Sequence, residues 1–443
     1  MRESLEKLNT LVNNERSALP GTYSLENMKQ LLRHFGDPQK SLTIVHVAGT
    51  NGKGSVCHML HAILTAARLR VGLYTSPHLE SVRERIALGS ACISEAAFSR
   101  YTGELFDLLA ERADLAPTYF DALTLIALRY FSDEKADIAI METGLGGRLD
   151  STNAADSIIA VITDIAMDHG HILGDNLASI AAEKAGIIKP GSITITSNRN
   201  PEVLAVIEAQ ARKAGSRLMA YGKDFRGGDI TPGPESGLRF NYSIQTPEYV
   251  SITGLTIQSP VRAQVRNASL AVTAAMILNT RRFTVSREAL RAGLGDLRVP
   301  GRYQILSRSP LIIFDPAHNP EAILELVRTL HEQYPGKKFI AVLSFMRDKE
   351  YSRMIQIIQE SLTQDILYYE LFDPRGVPGK AIQQESGTDI PVTASAEDLQ
   401  RHFKNAGEND SVVIATGSFR LYSAVRNAAE MCGDAPSAGD TTA

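Results

Sequence analysis

The chain has 443 residues, with 46 Lys and Arg against 50 Asp and Glu, 44% hydrophobic and 22% charged residues. At roughly 150 residues per domain, that length accommodates two or three domains with a substantial core. The net charge of −4 leaves no basic footprint for nucleic acid, and no apolar run approaches the roughly 20 residues of a membrane span.

The N-terminal MRESLEKLNTLVNNER lacks a signal-peptide core, and Cys57, Cys92 and Cys432 show no pairing pattern, so a reducing, cytoplasmic setting is expected. Apolar β-rich runs then alternate with amphipathic stretches, the pattern of a mostly parallel α/β sheet. Leu42–Ala48 reads as a strand, followed by a glycine-rich turn and a helix from about Ser55 to Ala67. Val71–Tyr74 is a short strand ending at Thr75-Ser76-Pro77. A helix is expected over Ala122–Ser132, strands over Ile138–Met141 and Ile158–Thr163, a helix over Asn176–Ala185 and a strand near Ser192–Thr196. From Leu218 to Pro260, Gly, Pro and alternating residues without helical period predict a small antiparallel β-element, with a helix following at Asn267–Asn279.

Leu294–Arg302 reads as a hinge, after which a second α/β alternation begins. Its strands are expected near Leu311–Phe314, Phe339–Leu343, Ile366–Leu371 and Val412–Ala415, and its helices near Glu321–Glu332, Tyr351–Glu360 and Ala396–Phe403. The expectation is a two-domain α/β protein. Residues 1–297 would form a P-loop-type, mostly parallel sheet flanked by helices, plus the small β-element. Residues 298–432 would form a Rossmann-like α/β domain, and 433–443 a loose tail.

The strongest local signal is HVAGTNGKGS, His46 to Ser55, placed after a strand and before a helix as a phosphate loop requires. Gly49, Gly52 and Gly54 let consecutive backbone N–H groups turn toward one anion. The helix N-terminus adds partial positive charge, and Lys53 supplies a full one. The spacing is shorter than usual: only Thr50-Asn51 stand between Gly49 and the Gly52-Lys53 pair, and Gly54 separates Lys53 from Ser55. Ligands of an open α/β sheet gather outside the carboxyl ends of the strands. Ser76, Glu142 and His169 fall there, the last within Asp168-His169-Gly170-His171. A hydroxyl, a carboxylate and an imidazole suit Mg²⁺ only partly, and taken alone Glu142 reads more readily as a hydrogen-bonded structural carboxylate.

Together these strings resemble the folylpolyglutamate synthase/dihydrofolate synthase family, within the ATP-dependent Mur-ligase superfamily, from about Pro20 to Val425. The resemblance of HVAGTNGKGSV implies ATP bound by Gly49, Thr50, Asn51, Gly52, Lys53, Gly54 and Ser55, with Lys53 on the β/γ-phosphates. TSPHL implies Ser76 as a magnesium ligand. METGLGGRLDSTN implies Glu142 as another, with Gly146, Gly147 and Arg148 near the pterin substrate. DHGHILG implies His169 as a metal ligand. IAAEKAGIIKPG matches an element whose lysine, here Lys184, is carbamylated and serves a second metal. TYFDALT resembles the pterin-side motif, which implies Thr118, Phe120 and Asp121, with Asp in place of the usual Glu. PGR implies Arg302 on ATP, and DPAHNP implies Asp315 on the nucleotide with His318 beside the reacting carboxylate or incoming glutamate. ATGSFRLYSAV resembles the closing segment. The stretch Val261–Asn267 lacks the family's glycine and histidine but keeps Gln264 and the ATP-side Asn267.

The activity so implied is an ADP-forming ligation of L-glutamate to dihydropteroate, to reduced folates, or to both. ATP would make an acyl phosphate, and two Mg²⁺ ions would be present in a monomer whose domains close across the hinge. A peptidoglycan-precursor ligase is the nearest rival, but the stretch ahead of Gly49 is too short for that group's separate nucleotide-sugar domain. A nucleotide-binding switch without ligase activity is the rival from another class.

Overall fold

The computed structural model describes residues 1–13, 25–168, 170–246, 248–280, 283–387 and 389–432. The candidate His169 and the expected tail 433–443 lie outside the described residues. Backbone contacts divide the chain into two units. The first comprises Met1–Gly233, Arg239–Ile257 and Gln264–Leu297; the second comprises Pro234–Leu238, Gln258–Ala263 and Arg298–Ala443.

In the first unit, the strands are β1 (Ile44–Ala48), β2 (Val71–Tyr74), β3 (Ile86–Leu88), β4 (Ala91–Cys92), β5 (Ile138–Glu142), β6 (Ile159–Ile162), β7 (Ile193–Thr196) and β8 (Arg217–Ala220). They form one sheet in the order β4-β3-β2-β5-β1-β6-β7-β8. All neighbours from β2 to β8 pair in parallel, while β3 and β4 add an antiparallel margin. Central strands β1, β5 and β6 are buried along their whole length, which explains their continuous apolar spelling. One face carries a core that includes Ile44, Tyr74, Phe98, Leu105, Ile126, Phe131 and Met141. The other packs Ala48, Ala160 and Ile162 against the helices Leu177–Ala185 and Pro201–Lys213. A further sheet of β9 (Phe225–Pro232), β10 (Leu238–Thr246) and β11 (Glu248–Ile257) has the order β11-β10-β9. Its connections are too short for parallel crossovers.

The second unit holds β12 (Gln304–Arg308), β13 (Leu311–Asp315), β14 (Phe339–Leu343), β15 (Ile366–Tyr369), β16 (Val392–Thr393) and β17 (Val412–Thr416), in the order β12-β13-β17-β14-β15-β16. Only β12 runs antiparallel. Its core includes Ile313, Leu330, Ala341, Leu343, Ile355, Tyr368 and Ile414.

Candidate active site

The order β5-β1-β6 places the first unit's topological switch at β1, and β1 runs directly into Gly49. Two positions there exclude a side chain. Gly49 has φ +155° and a Cβ on it would stand 1.7 Å from Thr163 Oγ1; Gly52 has φ +92° and a Cβ would stand 2.5 Å from Asn267 Oδ1. The turn is held from outside by Asp164, whose carbonyl accepts the N–H groups of Thr50 (2.8 Å) and Asn51 (3.2 Å). Asn198 fixes that support, accepting the Ile165 N–H at 3.0 Å and donating to the Thr163 carbonyl at 2.7 Å. Asp164, Thr163 and Asn198 were not among the residues singled out from sequence, because their work is done through backbone groups far along the chain.

The helix Lys53–Ala66 starts immediately after Gly52, two residues earlier than its composition suggests, so its open first turn faces the loop. Ser55 Oγ is buried there with no hydrogen-bond partner among the described residues. Lys53 Nζ folds back onto the carbonyls of Gly49 (3.1 Å) and Thr50 (3.4 Å). Lys184, only 5% exposed, donates from Nζ to the same Gly49 carbonyl at 2.8 Å. Two candidate cations, far apart in sequence, therefore meet at one carbonyl, with Asn267 alongside.

Glu142 ends β5 opposite Val47 in the parallel ladder, and its Oε2 accepts the Ser76 N–H at 3.1 Å. The candidate hydroxyl and carboxylate are thus neighbours at the strand ends. Burial pushes the nearby Cys57 thiol up, and the Glu142 charge adds to it. Among the described residues no group of three or more His, Cys, Asp and Glu is arranged to hold a metal alone. The donors present are oxygens, which fits an ion that completes its shell with water and phosphate oxygens. A cradle with no room for Cβ atoms, an open helix end and an unpartnered Ser55 hydroxyl together fit a bound polyphosphate.

Among the residues expected on the acceptor side, the helix Tyr119–Asp133 begins at a capping box rather than at the expected Ala122. Asp121 Oδ2 accepts the N–H and hydroxyl of Thr118, each at 2.8 Å, and Oδ1 accepts the Ser151 hydroxyl at 2.5 Å. Both oxygens of Asp121 are engaged in holding the helix that presents Phe120. The Phe120 ring lies 5.7 Å from that of Tyr74, and a Cβ on Gly144 would meet it at 2.7 Å. Arg148 pairs with Glu183 at 2.8 Å and its N–H donates to the Glu183 carbonyl at 2.8 Å, which binds the Gly146-Gly147-Arg148 stretch to the Lys184 helix.

Asp150, also missed from sequence, organises this loop. Its Oδ2 accepts the N–H groups of Gly144 (2.8 Å) and Leu145 (2.9 Å), and its Oδ1 accepts the N–H and hydroxyl of Thr152. Burial pushes its carboxyl up. With the Thr152 hydroxyl given to Asp150, His46 must donate from Nε2 to Thr152 Oγ1 across 2.8 Å. Full burial pushes His46 down to about 3, leaving it neutral.

In the second unit, Asp315 ends β13 and accepts the N–H groups of Tyr303 (2.9 Å) and Ala317 (3.0 Å). Burial raises its pKa, and the Arg302 charge opposes that rise. The Arg302 guanidinium lies 4.7 Å from the Phe419 ring centre, and the His318 ring 6.0 Å from the same ring. His318 Nδ1 donates to the Pro316 carbonyl at 2.8 Å, leaving Nε2 as its other polar atom.

The Mur ligase middle domain family matches residues 47–275, and the Mur ligase glutamate ligase domain matches residues 301–419. The chain is 32% identical over 410 residues to the dihydrofolate synthase/folylpolyglutamate synthase of Bacillus subtilis, covering 91% of this chain and 94% of that protein. The solved Mycobacterium tuberculosis folylpolyglutamate synthase, complexed with ADP and AMPPCP, superposes with a TM-score of 0.87 at 27% identity, covering 98% of this chain and 99% of that one. A solved FPGS–AMPPCP–folate complex has a TM-score of 0.84 at 30% identity, covering 96% and 98% respectively. Phosphate loop, strand-end carboxylate and both matched domains lead to one conclusion: the chain belongs to the folylpolyglutamate synthase/dihydrofolate synthase family of Mur ligases.

Proposed function

We propose that this protein is an ADP-forming ligase that uses ATP to activate the carboxylate of dihydropteroate or a reduced folate and joins it to the amino group of L-glutamate. The observation that carries the reading is the convergence of Lys53, Lys184 and Asn267 on the Gly49–Ser55 turn, beside the Ser76–Glu142 pair. A carboxylate is a poor electrophile; phosphorylation makes an acyl phosphate, which the glutamate amine then attacks, releasing phosphate. Positioning and charge neutralisation are the protein's task in such transfers.

The turn amides and the helix N-terminus hold the β/γ-phosphates, and Lys53 exchanges its two carbonyl partners for phosphate oxygens. Gly146, Gly147, Arg148, Thr118 and Phe120 border the pterin, with Asp121 and Asp150 as positioning residues. Asp315 and Arg302 are assigned to the nucleotide, and His318 to the glutamate end. Ser76 and Glu142 would hold one Mg²⁺, and His169 with carbamylated Lys184 a second. Bound there, the metal supplies charge neutralisation for the phosphates and the developing anions. The carbamate forms when the unprotonated Lys184 amine adds to CO₂ with loss of a proton, turning a cation into an oxygen donor. We read the enzyme as a cytoplasmic monomer without nucleic-acid or membrane partners. No described helix is long and apolar enough to cross a membrane.

The deciding experiment measures ADP release with ATP, Mg²⁺ and glutamate, comparing dihydropteroate with tetrahydrofolate derivatives. Turnover dependent on both glutamate and a pterin acceptor is expected. Nucleotide binding with no acceptor-stimulated turnover would favour the switch reading instead. Lys53→Ala is expected to abolish turnover while the circular dichroism spectrum stays that of the wild type.

A further inference from the structure

A cavity of about 650 Å³ opens in the first unit at the opposite edge of the sheet from the phosphate loop. Its walls are the stretch from Asp37 to Leu42 just before β1, Asn153, Ala154 and Asp156 ahead of β6, Lys189 ahead of β7, and one side of the helix Leu25–His34. Gly49 leaves the carboxyl end of β1, whereas this cavity lies at the amino ends, so it is not the nucleotide site. Its volume lies in the range that takes a small organic molecule rather than a lone inorganic ion.

The lining is charged in an unbalanced way. Lys189, with its side chain only 18% exposed, donates from Nζ to the Asn153 carbonyl at 2.8 Å. Its nearest carboxylate, Asp156, is 3.7 Å away and 94% exposed. Lys29, on the facing helix, is close enough for its charge to bear on Lys189, adding to the effect of burial in lowering the Lys189 pKa. Two ammonium groups that line one cavity repel, and an anion bound there relieves the repulsion. Arg33 and Lys40 extend the positive rim, Lys40 being paired with Asp37 at 2.6 Å and Arg33 with Glu26 at 3.0 Å.

Asn153 Oδ1 and Gln39 Oε1, both on lining residues, are buried without a hydrogen-bond partner among the described residues. With no accessible surface, neither oxygen reaches the cavity, which leaves the lysines as its ligand-facing groups. The Asn153 amide nitrogen is fully used, donating at 3.0 Å to the carbonyls of both Arg148 and Gly186. The cavity wall is thereby joined to the loop that borders the proposed acceptor site.

We propose that this cavity is a second ligand site, for a small organic polyanion. Its charge is met by Lys29 and Lys189, which line the cavity. A phosphate monoester and a hydroxylated polycarboxylate share that chemistry. AMP and citrate are the probes for the two sources, with inorganic phosphate as the small-anion control.

The test is isothermal titration calorimetry at low ionic strength on the full-length wild type and on Lys53→Ala, Lys29→Glu and Lys189→Gln, with thermal melting to verify that each variant is folded. One-to-one binding of AMP or citrate, equal in wild type and Lys53→Ala and weakened at least tenfold by Lys29→Glu and by Lys189→Gln, is expected. AMP-selective binding identifies the phosphate source, citrate-selective binding the carboxylate source. Binding no tighter than that of inorganic phosphate, binding unchanged in Lys29→Glu, or binding lost in Lys53→Ala would each overturn the site.

Discussion

Gly52 shows how little freedom the proposed phosphate turn has. Its φ of +92° and the Asn267 oxygen 2.5 Å from any added Cβ act together, so even alanine strains the backbone and displaces a neighbour. Gly52→Ala is expected to weaken AMPPCP binding at least tenfold, about 1.4 kcal/mol, in a calorimetric titration, with the melting temperature falling by only a few degrees. Lys184 is the second residue on which the proposed function turns. If it carries a carbamate, native intact-mass measurement in bicarbonate will show a CO₂ adduct that disappears in Lys184→Ala together with most of the activity. An unmodified, dispensable Lys184 would remove the second-metal assignment. The turn was legible in sequence because glycine, lysine and a following helix are local signals. Its scaffolding was not: Asp164, Asn198 and Asp150 act through hydrogen bonds to distant backbone, and nothing in their own neighbourhoods announces it.

Elements begin and end where side chains satisfy backbone groups, and this decides where the structure departs from the linear reading. The Tyr119–Asp133 helix starts three residues before the periodicity suggests because Thr118 and Asp121 close a capping box. Thr118→Ala is expected to cost about 1 kcal/mol, seen as a loss of a few degrees in melting temperature, and to raise the acceptor KM through the displaced Phe120. The helices Glu95–Glu111, Pro201–Lys213 and Arg287–Gly295 were not anticipated, nor were the antiparallel strands β3, β4 and β12. The helix Arg287–Gly295 owes its place to packing: Gly293 lies directly against the backbone of Ile63, a contact no local pattern encodes. By contrast, continuous apolar runs such as Ile138–Met141 were legible because strands buried on both faces tolerate nothing else.

At the scale of the whole molecule, ligand and proton binding are linked to folding. A non-hydrolysable ATP analogue at 100 times its dissociation constant stabilises the folded state by about 2.7 kcal/mol. AMPPCP with Mg²⁺ is therefore expected to raise the melting temperature of the wild type and to leave that of Lys53→Ala unmoved. Acid acts in the opposite sense. His46 and His61 are held neutral by burial, at about 3 and about 4, against about 6.5 in the unfolded chain. As pH falls from about 6.5 toward 4, the unfolded chain takes up protons that these two imidazoles refuse, and each group removes up to about 1.4 kcal/mol per pH unit. Above that window the contribution is constant. Melting curves between pH 7 and pH 4 should accordingly be less steep in pH for His46→Gln, whose amide can still donate to Thr152; an identical slope would refute the assignment.

The margins of the eight-stranded sheet have a consequence for how the protein behaves among its own copies. One side finishes in the two-residue strand Ala91–Cys92 and the other in the four-residue strand Arg217–Ala220. A newly made chain meeting either rim of this sheet finds few open amides to zip against, so the large sheet offers little template from which to seed intermolecular β-pairing.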